Sequence, residues 1–195
     1  MSETLVQLLR DRMGPLLTAP REVAATSPSE AGNGDTYRLT FFLYRVAQNS
    51  HLANAKRQPI GTDVVTRPPL ALDLYYLLTA YPFGEEGDRI VNQQRVLGRA
   101  VQVLADNTVL EGNDLEGSLA DRWKLHVSMN TLSDESSDEV LSIWNTFNET
   151  PYQPSVSYLV TPVPIDSTDE IPVDRVKERE VHYERITDRR RSEGE

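Results

Sequence analysis

The sequence predicts an α/β domain of the α+β type, a mixed β-sheet packed by about three helices, with a charged C-terminal arm. Three observations predict it. Residues 36–48 and 122–129 alternate apolar and polar side chains with a period of two, as a strand requires. Residues 4–13 and 88–105 repeat apolar side chains at helical spacing, giving faces wide enough to cover a sheet. Between these patterns, Arg67–Gly84 reads RPPLALDLYYLLTAYPFG, with Asp73 the single charge between Leu70 and Tyr81.

Leu5, Leu8, Leu9, Met13 and Leu16 define the first helix, with Gly14-Pro15 as its stop. Arg21–Ala25 reads as a short strand and Ser27–Asp35 as a turn-rich loop. Thr36–Gln48 is a strong strand, with Tyr37, Leu39, Phe41 and Leu43 on one face and Arg38, Thr40 and Phe42 starting the other. Asn49–Gly61 is polar and turn-rich, a long loop of the kind that is usually functional or mobile. Periodicity alone allows Arg67–Gly84 to be a strand buried on both faces or a short buried helix. Its bounding prolines and its tyrosines favour a strand.

Asp88–Ala105 is the second helix, with Ile90, Leu97, Val101 and Leu104 on one stripe and Val96, Ala100 and Val103 widening it. Arg122–Met129 alternates again, with Trp123, Leu125, Val127 and Met129 on one face and Arg122, Lys124, His126 and Ser128 on the other. Ser136–Phe147 is the third helix, with a capping-box spacing at Ser136 and Glu139 and an inner face of Val140, Trp144 and Phe147. Ser155–Val163 is the last strand. From Ile165 the character changes: residues 171–195 hold seven Arg/Lys and seven Asp/Glu and few apolar side chains, too polar to fold alone. The organisation is therefore a domain over 1–166 and an arm over 167–195.

The chain has 195 residues, a net charge of -10 and no cysteine. A chain so acidic is a poor general nucleic-acid binder, because phosphate contacts need clustered Lys and Arg. Without cysteine there is neither a disulfide nor a thiolate metal site. No apolar run reaches the ~18 residues of a membrane span. The opening MSETLVQLLRDRMG lacks the apolar core of a signal peptide. The only lysines are Lys56, Lys124 and Lys177. This arginine bias fits a high-salt cytoplasm or a GC-rich genome equally well.

The sequence carries few candidates for chemistry. His51, His126 and His182 have no partners at metal-ligand spacing, and no phosphate loop, dinucleotide fingerprint, HExxH or GxSxG occurs. No catalytic, cofactor-binding or metal-ligating residue is assigned, and no cofactor is expected. Gly32-Asn33-Gly34 is more simply a turn than an anion cradle. Asp134, Glu135, Asp138 and Glu139 are more simply a helix N-terminus than a cation site. Arg189-Arg190-Arg191 fits contact with an acidic protein surface better than phosphate binding. Asp73 is the oddest carboxylate. It serves a hydrolytic pair if a second carboxylate stands beside it; the simpler reading is an exposed face or pairing with an arginine such as Arg45.

The order of segments carries more than any single motif. LTFFLYRVAQNSHLANA at Leu39–Ala55 is followed by PPLALDLYYLLTAY at Pro68–Tyr81 and QRVLGRAVQVLADNTVL at Gln94–Leu110. WKLHVSMNTLSDESSDEVLSIWNTFNETPYQPSVSYLVTPVPID closes the series at Trp123–Asp166. Across residues 1–166 this series resembles the tail-cap, or tail-terminator, family of extracellular contractile injection systems. The resemblance implies a non-enzymatic structural protein. It implies a six-fold ring at the distal end of a phage-tail-like particle, a homo-hexamer that ends the inner tube and sheath and anchors the sheath during contraction. Its partners would be copies of itself and the tube and sheath proteins, with no nucleic acid. Assembly would be cytoplasmic, and the finished particle would be open to release. The rivals are a baseplate or connector subunit of such a particle, and a small soluble hydrolase using Asp73.

A cap needs contacts to ring neighbours and to stacked subunits. The candidates lie at the periphery: His51, Asn54, Lys56 and Arg57 in the long loop, and Val181, Tyr183, Arg185, Ile186, Arg189 and Arg190 in the arm. The alternation of Val181–Ile186 suits addition of a strand to a neighbour's sheet.

Overall fold

The computed structural model describes residues 1–17, 19–31, 36–52, 58–60, 64–115, 123–130, 133–147 and 150–172, with backbone alone for 20, 58–60, 64–66, 133–138 and 170–172. Helix α1 (Ser2–Arg12) leads through a 3-10 turn at Gly14–Leu16 to strand β1 (Val23–Ala24) and a four-residue helix α2 (Pro28–Ala31). Then come β2 (Leu39–Gln48), β3 (Gln58–Ile60), β4 (Val64–Thr66) and β5 (Leu70–Ala80). Helix α3 (Arg89–Asp106), β6 (Val109–Glu111), β7 (Lys124–Met129), α4 (Ser133–Trp144), β8 (Ser155–Ile165) and β9 (Glu170–Pro172) follow among the described residues.

The main sheet has six strands in the order β1-β2-β5-β8-β7-β6. It is mixed, as expected, because β1 runs parallel to β2 while the other pairings are antiparallel. The apolar run at Leu70–Ala80 is a strand after all, flanked on both sides by long strands. One face of the sheet receives α1 and α3. Leu74, Tyr76, Leu78 and Ala80 join Leu5, Val6 and Leu9 of α1 and Val96, Ala100, Val103 and Leu104 of α3 in a single core. The opposite face receives α4: the Trp144 indole donates to Ser155 Oγ at 3.2 Å, and Phe42 meets the Phe147 ring edge-on.

Burying a strand on both faces explains why β5 is nearly continuous in apolar residues rather than alternating. Its polar exceptions are satisfied. Thr79 Oγ1 lies 2.9 Å from Ser155 Oγ, and the Tyr81 hydroxyl just past the strand lies 3.2 Å from Thr40 Oγ1.

Several expectations are corrected. The buried stripe of α3 runs through Gln93, Val96, Ala100, Val103 and Leu104, while Ile90 is exposed. Gln93 belongs there because its amide donates to Ala80 O and to Gln153 Oε1, both at 2.7 Å. Met129 shares the apolar face of Leu125 and Val127 but is exposed at the end of β7. Helix α4 starts at Ser133, so Ser136 lies within it and the capping box is not its N-terminus. The loops at Ser27–Asp35 and Asn49–Gly61 contain α2 and β3, both too short to show a period.

Candidate assembly surface

Asp73 sits where β5 bulges against β8 between Leu72 and Leu74. Its Oδ1 accepts from Asn49 Nδ2 at 2.9 Å and from the Thr161 hydroxyl. Asn49 Nδ2 also reaches Thr161 Oγ1 at 3.1 Å. Arg45, the expected partner, points elsewhere: its guanidinium donates to Glu139 Oε1 at 3.2 Å and lies over the Tyr75 ring. Asp73 is thus an anchor point for a turn.

The turn is the start of the long loop. Asn49 is buried, and its Oδ1 accepts the backbone N–H groups of His51 and Leu52, both at 3.1 Å. One amide therefore ties the loop to the sheet interior and folds its first residues. This leaves His51 and Leu52 exposed. Asn54, Lys56 and Arg57 lie outside the described residues, as do Val181, Tyr183, Arg185, Ile186, Arg189 and Arg190.

The far end of the loop and the start of the arm come together. Strand β3 pairs with β4, and β4 pairs with β9, in a separate three-stranded antiparallel sheet. Pro59 opposes Val65, and Val65 opposes Ile171. Three residues of each peripheral segment read from the sequence therefore belong to one sheet, on either side of β4. Arg67 and Asp169 add an ion pair at 3.4 Å, so exposed that it contributes little to stability.

Beside this small sheet the main sheet has an apolar end. Leu70 and Ile165 are cross-strand neighbours, 44% and 52% exposed, and Leu52 is 41% exposed. With Gln48, Arg67 and Asp166 they line an open groove of about 360 Å³. Apolar side chains clustered at the rim of a polar loop are the composition of a contact surface rather than of a catalytic cleft.

Other features offer less. Among the described residues no group of three or more His, Asp or Glu could hold a metal ion. His126 is exposed on β7, beside a shallow apolar cleft lined by Leu104, Met129 and Tyr158. Burial pushes the Tyr158 hydroxyl up to about 12. Asp134 and Glu135 fall in the first turn of α4. Gly32, Asn33 and Gly34 lie outside the described residues.

The model of the Pvc16 N-terminal domain family matches residues 1–178. The chain belongs to this family. Two solved structures share the fold of this Pvc16 N-terminal domain. The PVC sheath/tube terminator of an extracellular contractile injection system, in its extended state, superposes with a TM-score of 0.61 at 16% identity. That match covers 95% of this chain and 63% of the terminator chain. The anti-feeding prophage cap, a tube terminating cap, gives a TM-score of 0.56 at 18% identity over 90% of this chain and 60% of that one. The chain thus spans about three-fifths of either solved chain. A search of curated proteins found no match.

Family membership accounts for the order of segments read from the sequence. It extends past the expected domain boundary at 166, across β9 and into the arm. Among the described residues no helix is long and apolar enough to cross a membrane.

Proposed function

We propose that this Pvc16 N-terminal domain chain is a structural cap of a contractile injection particle. It forms a ring at the distal end, terminates the inner tube and sheath, and anchors the sheath. The observation that carries this reading is the likeness of the whole fold to a sheath/tube terminator, over 95% of the chain. Family membership over residues 1–178 supports it independently.

The geometry fits an assembly role. The long loop and the arm converge on one small sheet, beside an exposed apolar groove. Asp73 Oδ1 is taken up by Asn49 at the start of the loop and by Thr161 of β8, a structural anchor that fits a scaffold. Homo-hexameric closure, docking on tube and sheath subunits, assembly in the cytoplasm and the division of labour between domain and arm belong to the same proposal.

Electron microscopy of particles from a strain lacking this protein tests it. The expected result is tubes and sheaths of aberrant length. Particles of normal length and normal distal end would overturn the cap reading, and a defect confined to the baseplate would move the protein there.

A further inference from the structure

The two edges of the main sheet are treated differently. One ends in β6, three residues paired with β7. The other ends in β1, two residues that pair only with Leu39 and Thr40 of β2. Strand β2 continues for eight more residues, Phe41–Gln48. Its inner side is paired with β5. Among the described residues no strand pairs with its outer side. A bare edge of this length is a template for another strand, and natural proteins blunt or cover such edges.

The edge has the side chains of a binding site. Leu43 pairs with Tyr76 and Val46 with Leu74, so both point to the core face. They lie beyond the cover of α1 and α3, 37% and 52% exposed. The one charge on the segment, Arg45, points to the opposite face and is matched by Glu139.

We infer that Phe41–Gln48 accepts Val181–Ile186 of a second copy of this chain as an added strand. The inference rests on the reading of this protein as a ring-forming subunit, and names the surface that joins neighbours. Three observations select this occupant. The first is direction. Strand β4 runs toward the main sheet, since Thr66 leads into Leu70, and β9 is antiparallel to it. The backbone at Pro172 therefore heads away from its own sheet. The second is reach. The eight residues 173–180 ahead of the segment extend to roughly 26 Å at ~3.3 Å per residue. A folded body of this size has a radius of gyration of about 16 Å.

The third is chemistry. The segment reads VHYERI, with Val181 and Tyr183 on one face and one Glu balancing one Arg. A neutral strand adds no charge to an acidic body. Arg189–Arg191 behind it favour a neighbour of opposite sign, because all of the -10 charge lies before residue 171. Main-chain hydrogen bonds would supply affinity, and apolar contacts to Leu43 and Val46 the register.

The absence of cysteine makes the test clean. Full-length Val46→Cys and Tyr183→Cys proteins are purified separately, mixed, allowed to exchange and treated with a short bis-maleimide. A covalent dimer containing both variants is expected. None is expected when Glu3→Cys, on the exposed side of α1, replaces Val46→Cys. A link formed only within one copy, no link in an intact oligomer, or a protein that stays monomeric would each overturn the inference. Val46→Lys supplies a second measurement, as a charge on an exposed edge blocks strand addition without disturbing the core. It should weaken self-association at least about tenfold with melting unchanged; unchanged association would count against the edge. An intact oligomer without the link removes this inference and leaves the cap reading standing. Normal particle lengths in the deletion strain remove the cap reading itself.

Discussion

Asn49 and Asp73 are joined side chain to side chain at 2.9 Å, between the end of β2 and a bulge of β5. The contact ties a carboxylate inside an apolar strand to the first turn of the surface loop. It resolves the one chemical oddity of the sequence. The carboxylate is retained where a hydrogen-bonding anchor is needed, and its Oδ1 also accepts from Thr161.

Asp73→Ala should therefore destabilise the domain by about 1–3 kcal/mol, because it leaves Asn49 and Thr161 donors without their acceptor. Asp73→Asn, which can keep one acceptor oxygen in place, should lose less. Denaturant titration of the three proteins measures both. Equal losses would show that the hydrogen bonds at Oδ1 are not what the carboxyl supplies.

Arg38 joins three neighbours at the top of β2. It pairs with Glu22 at 2.7 Å, donates to Leu16 O at 3.0 Å and lies 4.1 Å over the Phe83 ring. Arg38→Ala leaves a largely buried Glu22 carboxylate without this partner and should cost about 2–3 kcal/mol. Arg38→Lys should recover part of it, since an ammonium keeps the charge but not the planar stack. Thermal unfolding reads the order of the three.

Gly84 has φ +95°, and a Cβ there would stand 2.8 Å from Asn92 Nδ2. Asn92 donates to Phe83 O at 3.3 Å, which closes the turn leading into α3. Gly84→Ala should cost about 1 kcal/mol or more through backbone strain and displacement of that amide. The same change at Gly98, inside α3 with open space around it, should be neutral or stabilising.

Burial raises the hydroxyls of Tyr81 and Tyr158 to about 12. In the unfolded chain they ionise near 10, so above that pH the unfolded state has lost protons that the folded state keeps. Stability is then fully present below pH 10 and falls between pH 10 and about 12. Tyr158→Phe should flatten part of that fall. A spectrophotometric tyrosine titration should show a late-ionising fraction that joins the rest on unfolding. Its absence would show that the two hydroxyls are hydrated.

Ending the chain after Pro172 keeps β9 and the small sheet. The domain should melt as before, and self-association should be lost. A drop in melting temperature would show that the arm also stabilises its own domain.

Much of the fold was legible because it depends on local spacing. Leu5 and Leu9 mark α1, Leu39 and Phe41 mark the buried start of β2, and the prolines around Leu70–Ala80 mark the limits of β5. The burial of β5 on both faces followed from its continuous apolar sequence. The family followed from the order of these segments along the chain.

What stayed hidden depends on residues distant in sequence. Strands β3, β4 and β9 have three residues each, too few to show a period, and they exist because they pair with one another. An arginine such as Arg45 does not reach Asp73, because a bulge on β2 between Leu43 and Arg45 and another on β5 decide which side chains meet. No residue pattern announces a bulge here. By itself, the sequence determined the long strands of the main sheet, the main helices and the family, through periodicity and order. Only the tertiary structure decided that β3 and β9 share a sheet and that, among the described residues, no strand covers the outer side of β2 beyond Thr40. Strand pairing is a contact between distant segments, and it is fixed only when the whole sheet closes around its core.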